Sequence, residues 1–224
     1  MIYSIALDGP GGAGKSSIAK QVAKRKGIVY VDPGAMYRAI ALYMLKNNID
    51  IKDQTAVVNR LPQVDIQLEY RDGTQCIILN GEDVSTAIRT SEVSMAASIT
   101  SAYKEVRAFL MDTQRNVAKT TSVIMDGRDI GTVFLPDAQV KIFMSADSRI
   151  RAHRRHKELL EKGDTVTFEE VLADIEKRDW QDINRKEAPL RQADDAVLLD
   201  TSHLDFEQAV QAVLDIIDKK VKLK

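Results

Sequence analysis

A single cysteine, Cys76, leaves this chain without an internal disulfide, which excludes a small secreted scaffold held by bridges and fits a reducing compartment. With only three histidines beside it, the usual ligands of a structural zinc site are also scarce. An excess of one charge is missing too. The 32 basic residues meet 33 acidic ones, and a net charge of −1 argues against a protein whose main task is gripping nucleic acid. No apolar run approaches the roughly 20 residues that a bilayer span requires. Residues 1–10 lack the basic-then-apolar order of a secretory leader. What is present suits a globular protein able to bury a core: 224 residues, 44% hydrophobic and 29% charged. At about 150 residues per domain, that length fits one generous domain with room for an inserted part. The expectation at this level is a cytoplasmic enzyme or switch that needs neither membrane nor nucleic acid.

Hydrophobic spacing then divides the chain. Tyr3–Leu7 is a short apolar run closed by Asp8 and a glycine-rich turn, as a buried parallel strand would be. Ile18, Ala19, Val22 and Ala23 recur at helical spacing over 15–26, Gly27 stops that helix, and Ile28–Val31 reads as a second strand. The result is a strand–helix–strand unit. Asp32 suits an N-cap and Pro33 a first helical position, predicting a helix to about residue 47 with Met36, Ile40, Tyr43 and Met44 on one side. Val64, Ile66, Leu68 and Tyr70 alternate, Asp72-Gly73 offers a hairpin turn, and Cys76–Leu79 answers, so 61–88 reads as an antiparallel insertion. Helices are expected at about 91–100 and 103–119, the second with Val106, Leu110, Thr113 and Val117 inward. Buried strands follow at 122–125, 140–144 and 197–199. Between the last two lie charged helices at about 148–161 and 168–182, the second opened by a capping box from Thr167 to Glu170. A final helix over about 206–221 is expected to bury Phe206, Val210, Val213, Ile217 and Val221. Five apolar strands separated by helices imply an α/β fold, a five-stranded parallel sheet flanked on both faces.

The strongest chemical signal is Gly9-Pro10-Gly11-Gly12-Ala13-Gly14-Lys15-Ser16, a complete phosphate-loop pattern between a strand and a helix. Its glycines let successive backbone N–H groups converge on phosphate oxygens at the positive end of the following helix. Lys15 is placed to reach the β- and γ-phosphates, and Ser16 to bind Mg²⁺. Residues Gly9 to Ser16, with the adjacent Ser17, are the expected contacts of ATP. Gly9, Gly11 and Gly14 also satisfy the dinucleotide fingerprint, with Asp32 near the place of a ribose-binding acid, but the Gly-Lys-Ser continuation favours a nucleoside triphosphate. Val123–Asp126 is an apolar strand ending in a carboxylate, which could serve the shell of Mg²⁺ or cap a turn.

Arginines supply the other candidates. Arg38 follows the second strand and Arg128 the third. Arg151 and Arg155 share a helix face, and Arg178, Asp182 and Arg185 line another if the helix persists. Phosphoryl transfer is stabilised mainly by positioning and electrostatics, and arginine's planar fork suits phosphate oxygens. The plain alternative for each is a solvated ion pair. The basic stretch 149–157 has no interleaved aromatics to stack nucleic-acid bases. His153, His156 and His203 read as surface residues, and no Ser/His/Asp or Cys/His constellation is present. An ionised phosphate acceptor would need none, since it requires alignment rather than a general base.

In order along the chain stand Ile5–Pro10, Ala13–Ser16, Gly34-Ala35-Met36-Tyr37-Arg38-Ala39, Ile88–Val93, Met125-Asp126-Gly127-Arg128-Asp129-Ile130-Gly131-Thr132-Val133, Arg151–Arg155 and Ala188-Pro189-Leu190. Together they resemble the bacterial cytidylate kinases, of the nucleoside monophosphate kinase group, over essentially the whole chain. The block from Asp126 to Thr132 is the most specific of them. The resemblance implies transfer of the γ-phosphoryl of ATP to CMP or dCMP, with Mg²⁺, by a single chain acting on small molecules. It implies a sheet of order 2-3-1-4-5 in a core (1–35, 119–147 and 187–224), a monophosphate-binding region (36–118, with the insertion 61–88) and a helical lid (148–186). Carried over by position, Arg38 and Arg128 hold the acceptor phosphate, and Ser98, Arg107 and Asp129 read the cytosine edge. Arg178 and Asp182 contact the acceptor phosphate and ribose, Arg185 helps in the same pocket, and Arg155 arrives with the lid. Lys15, Arg128, Arg155 and Arg178 are the expected catalytic set. Another P-loop small-molecule kinase, acting on UMP, AMP or a non-nucleotide acid, is the alternative. A regulatory GTPase would want an Asn-Lys-x-Asp motif that the chain lacks.

One position departs from the family pattern. Relatives carry serine or threonine two residues before the Ala-(Met/Ile)-Tyr-Arg run, where this chain has Pro33, with neither hydroxyl nor N–H. Pro33→Ser is therefore expected to tighten CMP binding or sharpen CMP over UMP. An unchanged Michaelis constant and an unchanged CMP/UMP ratio would refute this.

Overall fold

In the computed structural model, residues 2–71 and 74–222 are described. The parallel sheet has five strands in the order 2-3-1-4-5 when they are counted along the chain. The chain divides into two compact units, Val29–Thr120 and the segments Met1–Ile28 with Thr121–Lys224.

In the second of these, β1 (Ser4–Asp8) lies between β6 (Val123–Gly127) and β7 (Val140–Ser145), with β8 (Val197–Asp200) beyond β7. All three pairings are parallel, in registers that include Leu7↔Asp126, Asp8↔Phe143 and Met144↔Leu199. Ile5, Leu7, Ile124, Met125, Val140, Ile142 and Met144 are buried, as near-continuous apolar strands covered on both faces require. The strand expected at 197–199 forms, but at the sheet edge, where Leu198 is 57% exposed. Helix α1 (Lys15–Lys26) ends on Gly27 in the left-handed conformation, as the sequence predicts.

Helices α6 (Ser148–Glu161) and α7 (Phe168–Asn184) pack through Ala152, Val171 and Ile175, with Leu159, Val166, Phe168 and Leu172 around them. The capping box between Thr167 and Glu170 is complete. His153 stacks on Phe168 at 4.2 Å between ring centroids. Trp180 stands 68% exposed on α7. Helix α8 (Phe206–Lys222) buries Ala209, Val210, Val213, Leu214 and Ile217, whereas Phe206 is 47% exposed and Val221 only half-buried. Phe206 shares the face of Val210 and Val213 but stands one turn before the burial of that face begins at Ala209.

The unit Val29–Thr120 holds β2 (Val29–Val31) and α2 (Pro33–Lys46). Asp32 accepts from the Ala35 N–H as N-cap and Pro33 stands at the helix start. A short helix that the sequence did not signal, α3 (Gln54–Arg60), follows, capped by Asp53. β3 (Ile66–Arg71) and β4 (Thr74–Leu79) pair antiparallel with Leu68 opposite Ile77, and β5 (Glu82–Asp83) adds a third strand. The expected turn at Asp72-Gly73 falls outside the described residues. Helices α4 (Ser91–Thr100) and α5 (Lys104–Thr120) complete the unit. On α5, Val106 and Leu110 are buried as expected, but the next inward position is Gln114, with Thr113 and Val117 half-buried beside it.

Candidate active site

The phosphate loop links the end of β1 to the start of α1, and its shape depends on glycine. A β-carbon at Gly9, where φ is +148°, would lie 2.0 Å from the carbonyl oxygen of Met144 on β7. Gly12 and Gly14 are left-handed at φ +74° and +83°, a conformation that costs other residues about 1–2 kcal/mol. Lys15 folds back beneath the loop and donates to the Pro10 carbonyl at 2.6 Å. Burial pushes its ammonium down to about 7, helped by the nearby Arg128 charge and opposed by Asp126, Asp8 and Asp182. Such a group regains its charge when a polyanion replaces the lost water.

The Ser16 hydroxyl donates to Asp126 Oδ2 at 2.7 Å. A hydroxyl and a carboxylate side by side are hard oxygen donors of the kind Mg²⁺ takes. Among the described residues no group of three or more His, Cys, Asp or Glu could hold a metal ion. A cation at Ser16 and Asp126 would thus complete its shell with water and phosphate oxygens, as Mg²⁺ does in nucleotide sites.

Arg128 lies against the loop: a β-carbon on Gly11 would be 3.3 Å from its Nη2. Its Nε donates to Asp182 Oδ2 at 2.7 Å. Burial works against the guanidinium's charge, but Asp182, together with Asp126 and Asp179, outweighs it and raises the pKa. Arg185, just past the end of α7, donates to Asp129 Oδ1 at 3.2 Å and to the Ala188 carbonyl at 2.6 Å. The expected face of Arg178, Asp182 and Arg185 is thus interrupted by the helix end. Arg178 instead pairs with Asp174, and Arg155 with Glu158, each on its own helix and partly exposed.

In the unit Val29–Thr120, Arg38 donates to Asp32 Oδ2 at 2.9 Å, and Arg38 Nε is buried with no acceptor among the described residues. Arg107 is buried, with its guanidinium 5.7 Å from the centre of the Tyr37 ring and Nη1 donating to the Ser101 carbonyl. Ser98 is exposed on α4, and Ser17 is exposed on α1.

Two residues, Arg151 and Asp8, take partners that the sequence did not signal. Arg151 is almost fully buried: Nε donates to the Ala146 carbonyl, Nη1 to the Gly11 carbonyl at 2.9 Å, and the fork grips Asp179. It ties the phosphate loop to both α6 and α7. Asp8 accepts from the N–H groups of Ile130 (2.8 Å) and Gly131 (2.7 Å), anchoring a single π-helical turn over Ile130–Phe134. Burial raises its carboxyl to about 6, although those two bonds pull the other way. With the folded pKa above the unfolded 3.8, the folded state holds the proton more tightly. Asp8's contribution is therefore fully present below pH 3.8, is lost as pH climbs through 6, and is constant beyond. Urea unfolding of wild type and Asp8→Asn should show their stability difference moving against the wild type between pH 4 and 6 and levelling above 7. A difference independent of pH would show that Asp8 titrates normally.

A strand, glycine loop and helix with a buried lysine, a serine–carboxylate pair and an arginine at the loop define a P-loop phosphate-binding protein. Residues 5–219 match the model of the cytidylate kinase family, and the chain belongs to that family. A cytidylate kinase of Caldicellulosiruptor bescii is 48% identical over 219 residues, covering 98% of this chain and 97% of that one. A cytidylate kinase of Carboxydothermus hydrogenoformans is 46% identical over 216 residues, covering 96% and 97%. Among solved structures, an uncharacterized protein from Eubacterium ventriosum superposes with a TM-score of 0.52 at 12% identity, covering 98% of this chain and 99% of that one. That likeness concerns the fold alone.

Proposed function

We propose that this chain transfers the γ-phosphoryl group of ATP to CMP or dCMP, yielding ADP and CDP or dCDP. The observation that carries this reading is the meeting of Lys15, the Ser16–Asp126 pair and the Arg128 guanidinium at one phosphate loop, in a member of this family. An oxygen of the acceptor phosphate attacks the γ-phosphorus, and the bond to the ADP oxygen breaks. That oxygen is already ionised, so no side chain need remove a proton. The work left to the protein is alignment and charge neutralisation.

The loop from Gly9 to Ser17, through the backbone N–H groups of its residues other than Pro10, and the Lys15 ammonium hold the triphosphate, with Ser16 and Asp126 the residues that would hold Mg²⁺. That ion, when bound, offsets charge on the phosphate oxygens. Arg128 neutralises the transferring group and, with Arg38, Arg178 and Arg185, the acceptor phosphate. Asp182 orients Arg128 and meets the ribose. Arg155 and Arg178 leave their present partners for this task. Exposed pairs of that kind are worth about 1 kcal/mol or less, so phosphate oxygens displace them readily. Arg107, Ser98 and Asp129 read cytosine: a carboxylate accepts from the 4-amino group, and a guanidinium donates to N3 and O2. UMP reverses the pattern at positions 3 and 4 and would leave buried groups unpaired. In this reading residues 148–186 act as the lid, 36–118 as the monophosphate-binding region, and the chain works alone in the cytoplasm.

An ADP-release assay with Mg·ATP and CMP, dCMP, UMP, AMP, GMP and shikimate tests the proposal. CMP and dCMP should exceed UMP by at least about tenfold. Silence with CMP and dCMP while ATP still binds would overturn it, and a preference for another acceptor would favour a different small-molecule kinase. Arg128→Ala should reduce kcat/KM for CMP by about 10²–10³-fold with ATP affinity nearly unchanged. A defect confined to ATP would remove its acceptor role.

A further inference from the structure

A side chain of the antiparallel insertion binds the start of α2. Gln75, on β4, meets the backbone of Asp32 on both sides: the Asp32 N–H donates to Gln75 Oε1 at 2.9 Å, and Gln75 Nε2 donates to the Asp32 carbonyl at 3.2 Å. The primary amide thus binds the peptide at 32 as a neighbouring strand would. Asp32 is itself buried and fully engaged. Its Oδ1 caps α2 at Ala35, and its Oδ2 accepts from both Arg38 Nη2 (2.9 Å) and Arg89 Nη1 (3.0 Å). Little room surrounds the cluster, since a β-carbon on Gly34 would lie 3.1 Å from Asp32 Oδ1 and 3.4 Å from Arg38 Nη1.

Two guanidinium groups on one carboxylate oxygen leave an excess of positive charge, and the buried Arg38 Nε still lacks an acceptor among the described residues. Such a group gains from an incoming anion only if its fork is already aimed. The cap and Arg38 hold the Asp32 carboxylate only from its own helix. The amide of Gln75 fixes the Asp32 backbone from a separate strand, β4.

We propose that Gln75 is a positioning residue for Arg38, acting through Asp32, so that the antiparallel insertion sets the affinity for the acceptor phosphate. This rests on the reading of Arg38 as an acceptor-phosphate ligand. Gln75 touches no substrate in this arrangement and should leave the chemical step alone.

Steady-state kinetics on Gln75→Ala should show KM for CMP raised about 5- to 10-fold, with kcat and KM for ATP within about twofold and an unchanged melting temperature. Gln75→Glu keeps the bulk and one acceptor but sets a carboxylate oxygen against the Asp32 carbonyl, and should raise KM for CMP at least as much. Added to Arg38→Ala, Gln75→Ala should cost less than about twofold more, because both changes disable the same arm. An unchanged KM for CMP in both Gln75 variants would overturn the proposal. Equal rises for ATP and CMP would also overturn it, as would full multiplication of the two effects in the double variant. If Arg38→Ala alone leaves KM for CMP unchanged, the reading of Arg38 fails and the role of Gln75 falls with it.

Discussion

Replacing Lys15 with alanine is expected to reduce turnover by about three orders of magnitude or more while leaving the melting temperature equal to or above that of the parent. The two halves of that expectation share one cause. Lys15 is 5% exposed and rests on the Pro10 carbonyl, with Arg128 nearby. Burial holds its ammonium near 7, far below the ordinary 10.5. Burial thus disfavours this ammonium, and deleting it removes a cost rather than a support. Only a polyphosphate turns that cost into binding energy. The pH dependence follows. Between about 7 and 10.5 the unfolded chain binds a proton that the folded chain does not, so this group's contribution to stability rises with pH across that window. Urea unfolding should show the wild type gaining on Lys15→Ala from pH 7 to 9. Normal ADP release from a variant with a native-like unfolding curve would contradict the assignment.

Gly9→Ala should be the most damaging single methyl group that can be added to the loop. The new carbon would sit 2.0 Å from the Met144 carbonyl oxygen, well inside any van der Waals contact. It cannot escape by sliding the strand, because Asp8 is in register with Phe143 on one side and Gly127 on the other. Separating β1 from β7 would sacrifice ladder bonds at the centre of the sheet. A loss of about 3 kcal/mol or more is expected by equilibrium unfolding, together with loss of ATP binding in whatever remains folded. Gly14→Ala is the informative contrast. It shares a positive φ of +83°, but its nearest neighbour, Ile18 Cδ1, is 3.8 Å away, so only the left-handed conformation counts, at about 1–2 kcal/mol. Equal effects at the two positions would show that conformation, not the approach of β7, decides the loop.

Much of this architecture was legible because its signals are local. The apolar runs ending at Asp8 and Asp126 became central strands, Asp32 and Thr167 became helix caps, and the phosphate loop lies between strand and helix as its pattern requires. What escaped is built from pairs far apart in the chain. Arg151 and Asp179 stand 28 residues apart, and Asp8 reaches Gly131 across 123. No periodicity links such partners, and each alone looks like a solvated charge. Gln75 is the same case: a polar residue in a short strand, whose partner 43 residues away appears only when β4 brings it to Asp32. Phe206 failed differently: it has the spacing of the stripe, but spacing does not say at which turn burial begins. The assignments of Ser98, Arg107, Arg155 and Arg178 came from family likeness, and the structure adds their present partners rather than their roles.

The exposed Trp180 has a practical consequence, for the chain contains no other tryptophan. An indole already in water emits in the native protein much as it does in the denatured chain. Unfolding followed by intrinsic fluorescence should therefore be nearly silent, and the transitions above need circular dichroism instead. The same silence makes the indole a clean optical reporter. A nucleotide that rearranges the surroundings of α7 will change its quenching by iodide against almost no background.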